Sequence, residues 1–170
     1  MRLKIRSPTR IMKSAFLLIA GMSLLTLIDI VAVEMVIRPL TENYDIPWSD
    51  LETTVFGYKI LIWHLGFFPM AVGLFTLVSA AGNDWRPAIA GTLLFFTGLE
   101  DAMYYFFQLT PLPQELPWLD SSLTLGWTRF FTKSEHVTAD GLVVAIIISV
   151  TISGFILALE KTGTIPKNRA

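Results

Sequence analysis

The stretch AIAGTLLFFTGLEDAMYYFF, residues 88–107, decides how this chain is read. It has the length of a bilayer-crossing helix, for which about 20 apolar residues suffice, yet Glu100 and Asp101 sit inside it. A charged side chain in hydrocarbon costs roughly 2.5–3.5 kcal/mol on insertion scales, so an adjacent pair calls for a partner charge, a bound ion or a proton to be moved. The segment speaks for a membrane protein with a polar site built into it.

Outward from this stretch the same apolar character recurs. Long apolar runs cover residues 14–37, 55–81, 87–109 and 138–159, and 53% of the 170 residues are apolar against 16% charged. A soluble domain carries about 25% charged residues. The reading is an all-α membrane protein, one integral-membrane domain over 1–170, folded as an up-down-up-down four-transmembrane-helix bundle. The net charge of −1 is sorted by loop, which leaves no basic patch and no nucleic acid among the expected partners. The chain has no cysteine, which excludes disulfides and thiolate chemistry. Its basic start resembles the front of a secretory signal, but the apolar run behind it is too long for a signal core and lacks a small-residue cleavage site. It reads as an uncleaved first helix.

Basic residues orient the bundle. Arg2, Lys4, Arg6, Arg10 and Lys13 precede the first run, Arg86 lies in the turn between the second and third, and Lys161, Lys167 and Arg169 follow the last. Arg38, Lys59, Arg129 and Lys133 fall on the other side, diluted by acids such as Glu42, Asp45, Asp50, Glu52, Glu115, Asp120 and Glu135. The positive-inside rule then predicts an integral, multi-pass protein with both termini cytoplasmic and two longer loops outside. The second of these loops contains Pro111, Pro113 and Pro117, which stop the preceding helix. The segment 119–131 that follows is too apolar for a solvated loop and too short to span. With Trp118, Trp127, Phe130 and Phe131 it reads as an interfacial or re-entrant cap between helices 3 and 4.

Counting inward from the outer helix ends at about 1.5 Å per residue puts Asp29, His64 and Glu100 at one level, roughly 12–14 Å down and near the midplane. Glu34, Lys59, Tyr104 and Tyr105 come above them, then His136 and Asp140 at the start of helix 4, while the inner halves of the helices carry no charge. The pattern describes a polar crevice open to the extracytoplasmic face. Glu100 and Tyr104, Asp101 and Tyr105, and His136 and Asp140 are each spaced i,i+4 and so share a face. Lys59 or His64 is the expected partner of one acid, and Glu34 the expected i,i+4 partner of Arg38.

Against each reading stands a plainer one. Glu34 can be a structural pair, a lone histidine is more often a packing residue, the tyrosines can be belt aromatics, the tryptophans interface anchors, and Asp140 a helix-start acid. Intramembrane acids such as Glu100 and Asp101 nevertheless mark proton, ion or substrate sites by default. No glycine-rich phosphate loop, Gly-x-Ser-x-Gly, His-Glu-x-x-His or Cys-x-x-Cys-His occurs.

Three functions fit. The first is a small membrane enzyme acting on a lipid or isoprenoid-like hydrophobic substrate. Asp29, His64, Glu100 and Asp101 would do acid–base work, and Lys59, Trp63, Tyr104, Tyr105 and Trp127 would line the substrate. A divalent metal would use His64, Glu100, His136 and Asp140, a hard nitrogen–oxygen set. The second is a non-catalytic accessory subunit gripping a partner membrane subunit. The third is a proton-coupled transporter component acting as a homodimer. An accessory role predicts polar groups facing out of the bundle, and an enzyme predicts their convergence inside it.

Overall fold

The computed structural model describes residues 6–55, 58–120 and 123–159. The side chains of Lys59 and Trp127 lie outside the described residues, so their expected place in a substrate lining has no structural counterpart here. The described chain is predominantly helical, with one short hairpin. Three helical runs are long and apolar enough to cross a membrane: Pro8–Tyr44, Ile62–Ala81 and Ala139–Ala158.

The first run is not uniform. Helix α1 (Pro8–Ala32) passes through a π-helical turn, Val33–Ile37, into α2 (Arg38–Tyr44). Pro39 offers no N–H to the carbonyl one turn earlier and its ring crowds that carbonyl, so the backbone widens there. After α2 the chain makes an antiparallel hairpin, β1 (Glu52–Val55) with β2 (Tyr58–Leu61), in which Thr53 faces Ile60 and Thr54 faces Lys59. Only then does α3 (Ile62–Ala81) begin. The expected helix from residue 55 is therefore corrected. Thr53, Thr54, Val55, Tyr58 and Ile60 are β-branched or aromatic residues that favour strands, and Lys59 sits in a strand, not above His64 on a helix.

The acid-bearing stretch is broken in the middle, against the single helix expected over 87–109. Helix α4 (Arg86–Phe96) stops at Thr97, whose hydroxyl donates to the carbonyls of Leu93 at 2.8 Å and Leu94 at 3.1 Å. Gly98 follows with φ of 84°, and a Cβ there would lie 2.6 Å from Leu142 Cδ1. Only glycine takes this left-handed, crowded position at low cost. Helix α5 (Leu99–Phe107) then starts with Glu100 and Asp101 in its first turn.

The 3₁₀ turn Pro117–Leu119 leads to α6 (Leu123–Thr132), and Thr138 caps α7 (Ala139–Ala158) by accepting from the Gly141 N–H at 3.1 Å. One core joins Leu18, Met22 and Leu25 of α1, Phe67, Ala71 and Phe75 of α3, Ala90, Leu94 and Phe95 of α4 and Leu157 of α7. A smaller one gathers Leu116, Leu119, Val137 and Leu142 beneath α6. Helix α6 packs along α7, Thr128 being buried against Gly141 while Phe130 and Phe131 are exposed. Small residues let α7 approach its neighbours, and Ser153 Oγ donates to the Ala90 carbonyl at 3.3 Å. The outward faces remain apolar: Phe16, Ile19, Leu77, Ile147 and Phe155 are all exposed.

Charges gather at both ends. At one end Arg6, ahead of α1, reaches Asp84 in the α3–α4 turn at 2.7 Å, Arg86 reaches the same carboxylate at 2.8 Å, and the Arg6 N–H donates to the Ala158 carbonyl at 3.1 Å. From Pro8 to Asp29 the helix rises roughly 30 Å at about 1.5 Å per residue, the hydrocarbon thickness of a bilayer. His64 is the third residue of α3 rather than two turns down a helix.

Candidate functional site: carboxylates at one end of the bundle

The break at Thr97–Gly98 creates the site. It turns what would be a helix interior into a helix start, where unpaired backbone N–H groups and the helix dipole favour negative charge, and Glu100 and Asp101 occupy that first turn. Helices α1 and α5 pack together. Asp29 on α1 and Glu100 on α5 are both buried, and Asp101 beside Glu100 is half-buried.

Among the described residues, indoles are the partners of Asp29 and Asp101. Trp63 Nε1 donates to Asp29 Oδ1 at 2.8 Å, and Trp118 Nε1 donates to Asp101 Oδ1 at 3.2 Å. Trp118 also stacks on Tyr105, ring centroids 6.3 Å apart, and Trp63 stacks on Phe67 at 5.6 Å. Glu100 is 7% exposed, and among the described residues its Oε1 has no hydrogen-bond partner. A buried carboxyl oxygen left unpaired costs on the order of 1–3 kcal/mol or more, so it marks either stored strain or a place meant for something else.

One layer away, Glu34 takes three partners. Arg38 pairs with it at 2.7 Å, the i,i+4 pair expected from the sequence, Tyr104 donates to it at 2.8 Å, and Gln108 at 3.4 Å. Tyr104 therefore faces Glu34 rather than Glu100. The π turn carries Glu34 to this position, and the sequence offers Pro39 as the only hint of it.

His64 is not brought to the acids. Its ring lies flat on Phe68, centroids 5.2 Å apart and planes 4° apart, and among the described residues no hydrogen bond joins it to Asp29, Glu100 or Asp101. The expected metal set of His64, Glu100, His136 and Asp140 does not assemble either. Among the described residues no three histidine or carboxylate side chains gather in a way that could hold a metal ion. His136 precedes α7 instead of sharing its face with Asp140, and its Nδ1 meets Asp120 Oδ2 at 2.6 Å. That contact raises the His136 pKa above its ordinary value. Asp140 is exposed in the first turn of α7, and Thr138 rather than Asp140 supplies the cap. A shallow cleft of about 790 Å³ lies between α6 and the chain entering α7, bordered by Asp120, Arg129, Lys133, Glu135 and His136 and separate from the carboxylates of α1 and α5.

The indole partners and the buried Arg6–Asp84–Arg86 cluster were missed by sequence reasoning. Tryptophans near helix ends read as interface anchors, and nothing in the spacing of residues 63 and 118 pairs them with acids on other helices. Comparison with known protein families, with curated proteins and with solved structures returns no match to this chain.

Proposed function

We propose that this protein is a multi-pass integral membrane enzyme that acts on a lipid or isoprenoid-like substrate at the outer face of the bilayer, with Asp29, Glu100 and Asp101 as its acid–base groups. Four crossings are proposed: the run starting with α1, then α3, then α4 and α5 together, then α7, in up-down-up-down order with both termini cytoplasmic. The order is supported by the meeting of Arg6, Asp84 and Ala158 at one end of the bundle, and the orientation by the basic residues gathered there.

The single observation that carries the reading is Glu100. Its carboxyl group is enclosed, one oxygen lacks a partner among the described residues, and Asp101 neighbours it in the same helix turn. Carboxyl groups crowded together in a poorly solvated place resist ionising together, so one is kept as proton donor while another accepts, which is the requirement of general acid–base catalysis. The Trp118 and Trp63 N–H groups orient Asp101 and Asp29, fixing which oxygen each presents. The burial of Asp29 and Glu100 supports the enzyme reading over an accessory subunit, which would turn its polar groups outward. The exposed rings of Phe130 and Phe131 on α6 suit an approach by a hydrophobic substrate along the interface.

The test is turnover in lipid. Wild-type protein in nanodiscs made from a total membrane lipid extract should change the abundance of one lipid class with time, read by mass spectrometry. Glu100→Gln, which keeps size and shape, should lower that rate by roughly a hundredfold or more while circular dichroism stays unchanged. If the wild type alters no lipid, or if Glu100→Gln works at the wild-type rate, the enzyme reading is replaced by the accessory one.

A further inference from the structure

Negative charge without a counter-cation is the unsolved feature of this site. Among the described residues, the ion pairs join Arg6 and Arg86 to Asp84, Arg38 to Glu34 and His136 to Asp120, and none reaches Asp29, Glu100 or Asp101. Each indole supplies one N–H, to Asp29 and to Asp101, and Glu100 Oε1 has no donor among the described residues. A group that completes this place would bring positive charge to the carboxylates and a hydrogen-bond donor to Glu100 Oε1.

Three kinds of cation satisfy the first condition. A bare metal ion needs several oxygen or nitrogen ligands at close, fixed distances, and no such group of three forms among the described residues. A quaternary ammonium carries charge but no N–H, so it would leave Glu100 Oε1 unpaired. A primary ammonium carries both, with three donors on one nitrogen, and the neighbouring rings of Trp63, Trp118 and Tyr105 suit an organic cation through their π faces.

We propose that Glu100 binds a primary ammonium group at this end of the bundle, its Oε1 accepting one of the N–H hydrogens, with Asp29 and Asp101 adding negative charge nearby. The ammonium belongs either to the headgroup of an aminophospholipid or to a free small amine. The inference rests on the reading of these carboxylates as the substrate site, and it makes the substrate of the proposed enzyme an amine-bearing molecule. Three carboxyl groups exceed what one ammonium neutralises, which leaves two, one to hold a proton and one to accept it.

Binding is measurable without turnover, because Trp63 and Trp118 touch the site and report on it by their fluorescence. Ethanolamine should perturb tryptophan emission saturably in detergent, or phosphatidylethanolamine should do so in nanodiscs, and choline or phosphatidylcholine should bind at least about tenfold more weakly. Response to ethanolamine identifies a free amine as sufficient, and response only to the nanodisc lipid identifies a headgroup. Glu100→Gln should weaken binding roughly ten- to a hundredfold, Glu100→Asp less so, and Glu135→Gln, outside the site, should change nothing. Equal affinity for choline and ethanolamine overturns the proposal, as does undiminished binding in a folded Glu100→Gln protein. A wild type that binds no amine until Lys59→Ala is introduced would mean that Lys59 supplies the cation itself, and that too overturns it. Amine binding without lipid turnover leaves this inference standing and removes the enzyme reading, while Glu100-dependent turnover without amine binding does the reverse.

Discussion

Asp84 is the residue on which the closed end of the bundle depends. Its side chain is 9% exposed and faces Arg6 at 2.7 Å and Arg86 at 2.8 Å, guanidiniums that are themselves 12% and 5% exposed. Arg86 donates to Asp84 Oδ1 twice, from its backbone N–H at 3.3 Å and from Nη1 at 2.8 Å, while its guanidinium lies 5.6 Å from the Trp85 ring. Removing one partner of a buried charge network costs about 3–5 kcal/mol, because the remaining charges stay out of water with nothing opposite them. Asp84→Asn should therefore destabilise the fold by about that amount, read as a lowered unfolding midpoint in detergent. A midpoint within experimental error of wild type would show that the arginines find other partners. None of this is legible locally. Gly82-Asn83-Asp84 reads as a solvated turn, and the arrival of Arg6 from the start of α1 is a tertiary event. The acid pair Glu100-Asp101 was legible for the opposite reason, since its misfit with its own neighbours is written in the residues themselves.

At the scale of elements, α6 packs along α7 with a close contact at Gly141. Thr128 lies buried against Gly141 of α7, and a Cβ at position 141 would come to 2.7 Å from Thr128 Cγ2 and 2.9 Å from Thr128 Cβ. Backbone and a β-branched side chain cannot both give way, and overpacking of this kind costs about 1–3 kcal/mol. Gly141→Ala should lower the unfolding midpoint and speed proteolysis of the 114–138 segment, and adding Thr128→Ala should restore both. If the double variant is no better than Gly141→Ala alone, the contact is not what docks α6. The end of α5 was readable from the three prolines that follow it, because proline acts locally. The seat of α6 on Gly141 was not. The hairpin of β1 and β2 escaped because an apolar run of mixed residues reads equally as helix when only hydropathy is weighed, although its β-branched pattern was present. The break between α4 and α5 escaped because Thr-Gly in an apolar stretch is unremarkable until Leu142 is seen pressing on Gly98.

For the whole molecule, the two charged ends imply a definite placement across the bilayer. Arg6, Asp84, Arg86 and the end of α7 form one end, and Asp29, Glu34 and the first turn of α5 stand toward the other. The three long runs were visible in hydropathy alone, since length and composition are all that a crossing demands. The start of α3 was not, because the hairpin takes up the residues ahead of Ile62. With basic residues flanking the Arg6 end, that end should face the cytoplasm. The absence of native cysteine makes this directly testable. Gln114→Cys lies between α5 and α6 and should react with a membrane-impermeant maleimide on intact cells, whereas Asn83→Cys, in the α3–α4 turn, should react only after the membrane is opened. Labelling of both positions from the same side would undo the four-crossing arrangement. The reverse pattern would keep the crossings and place the carboxylate site on the cytoplasmic face, where a substrate would have to be drawn from the inner leaflet.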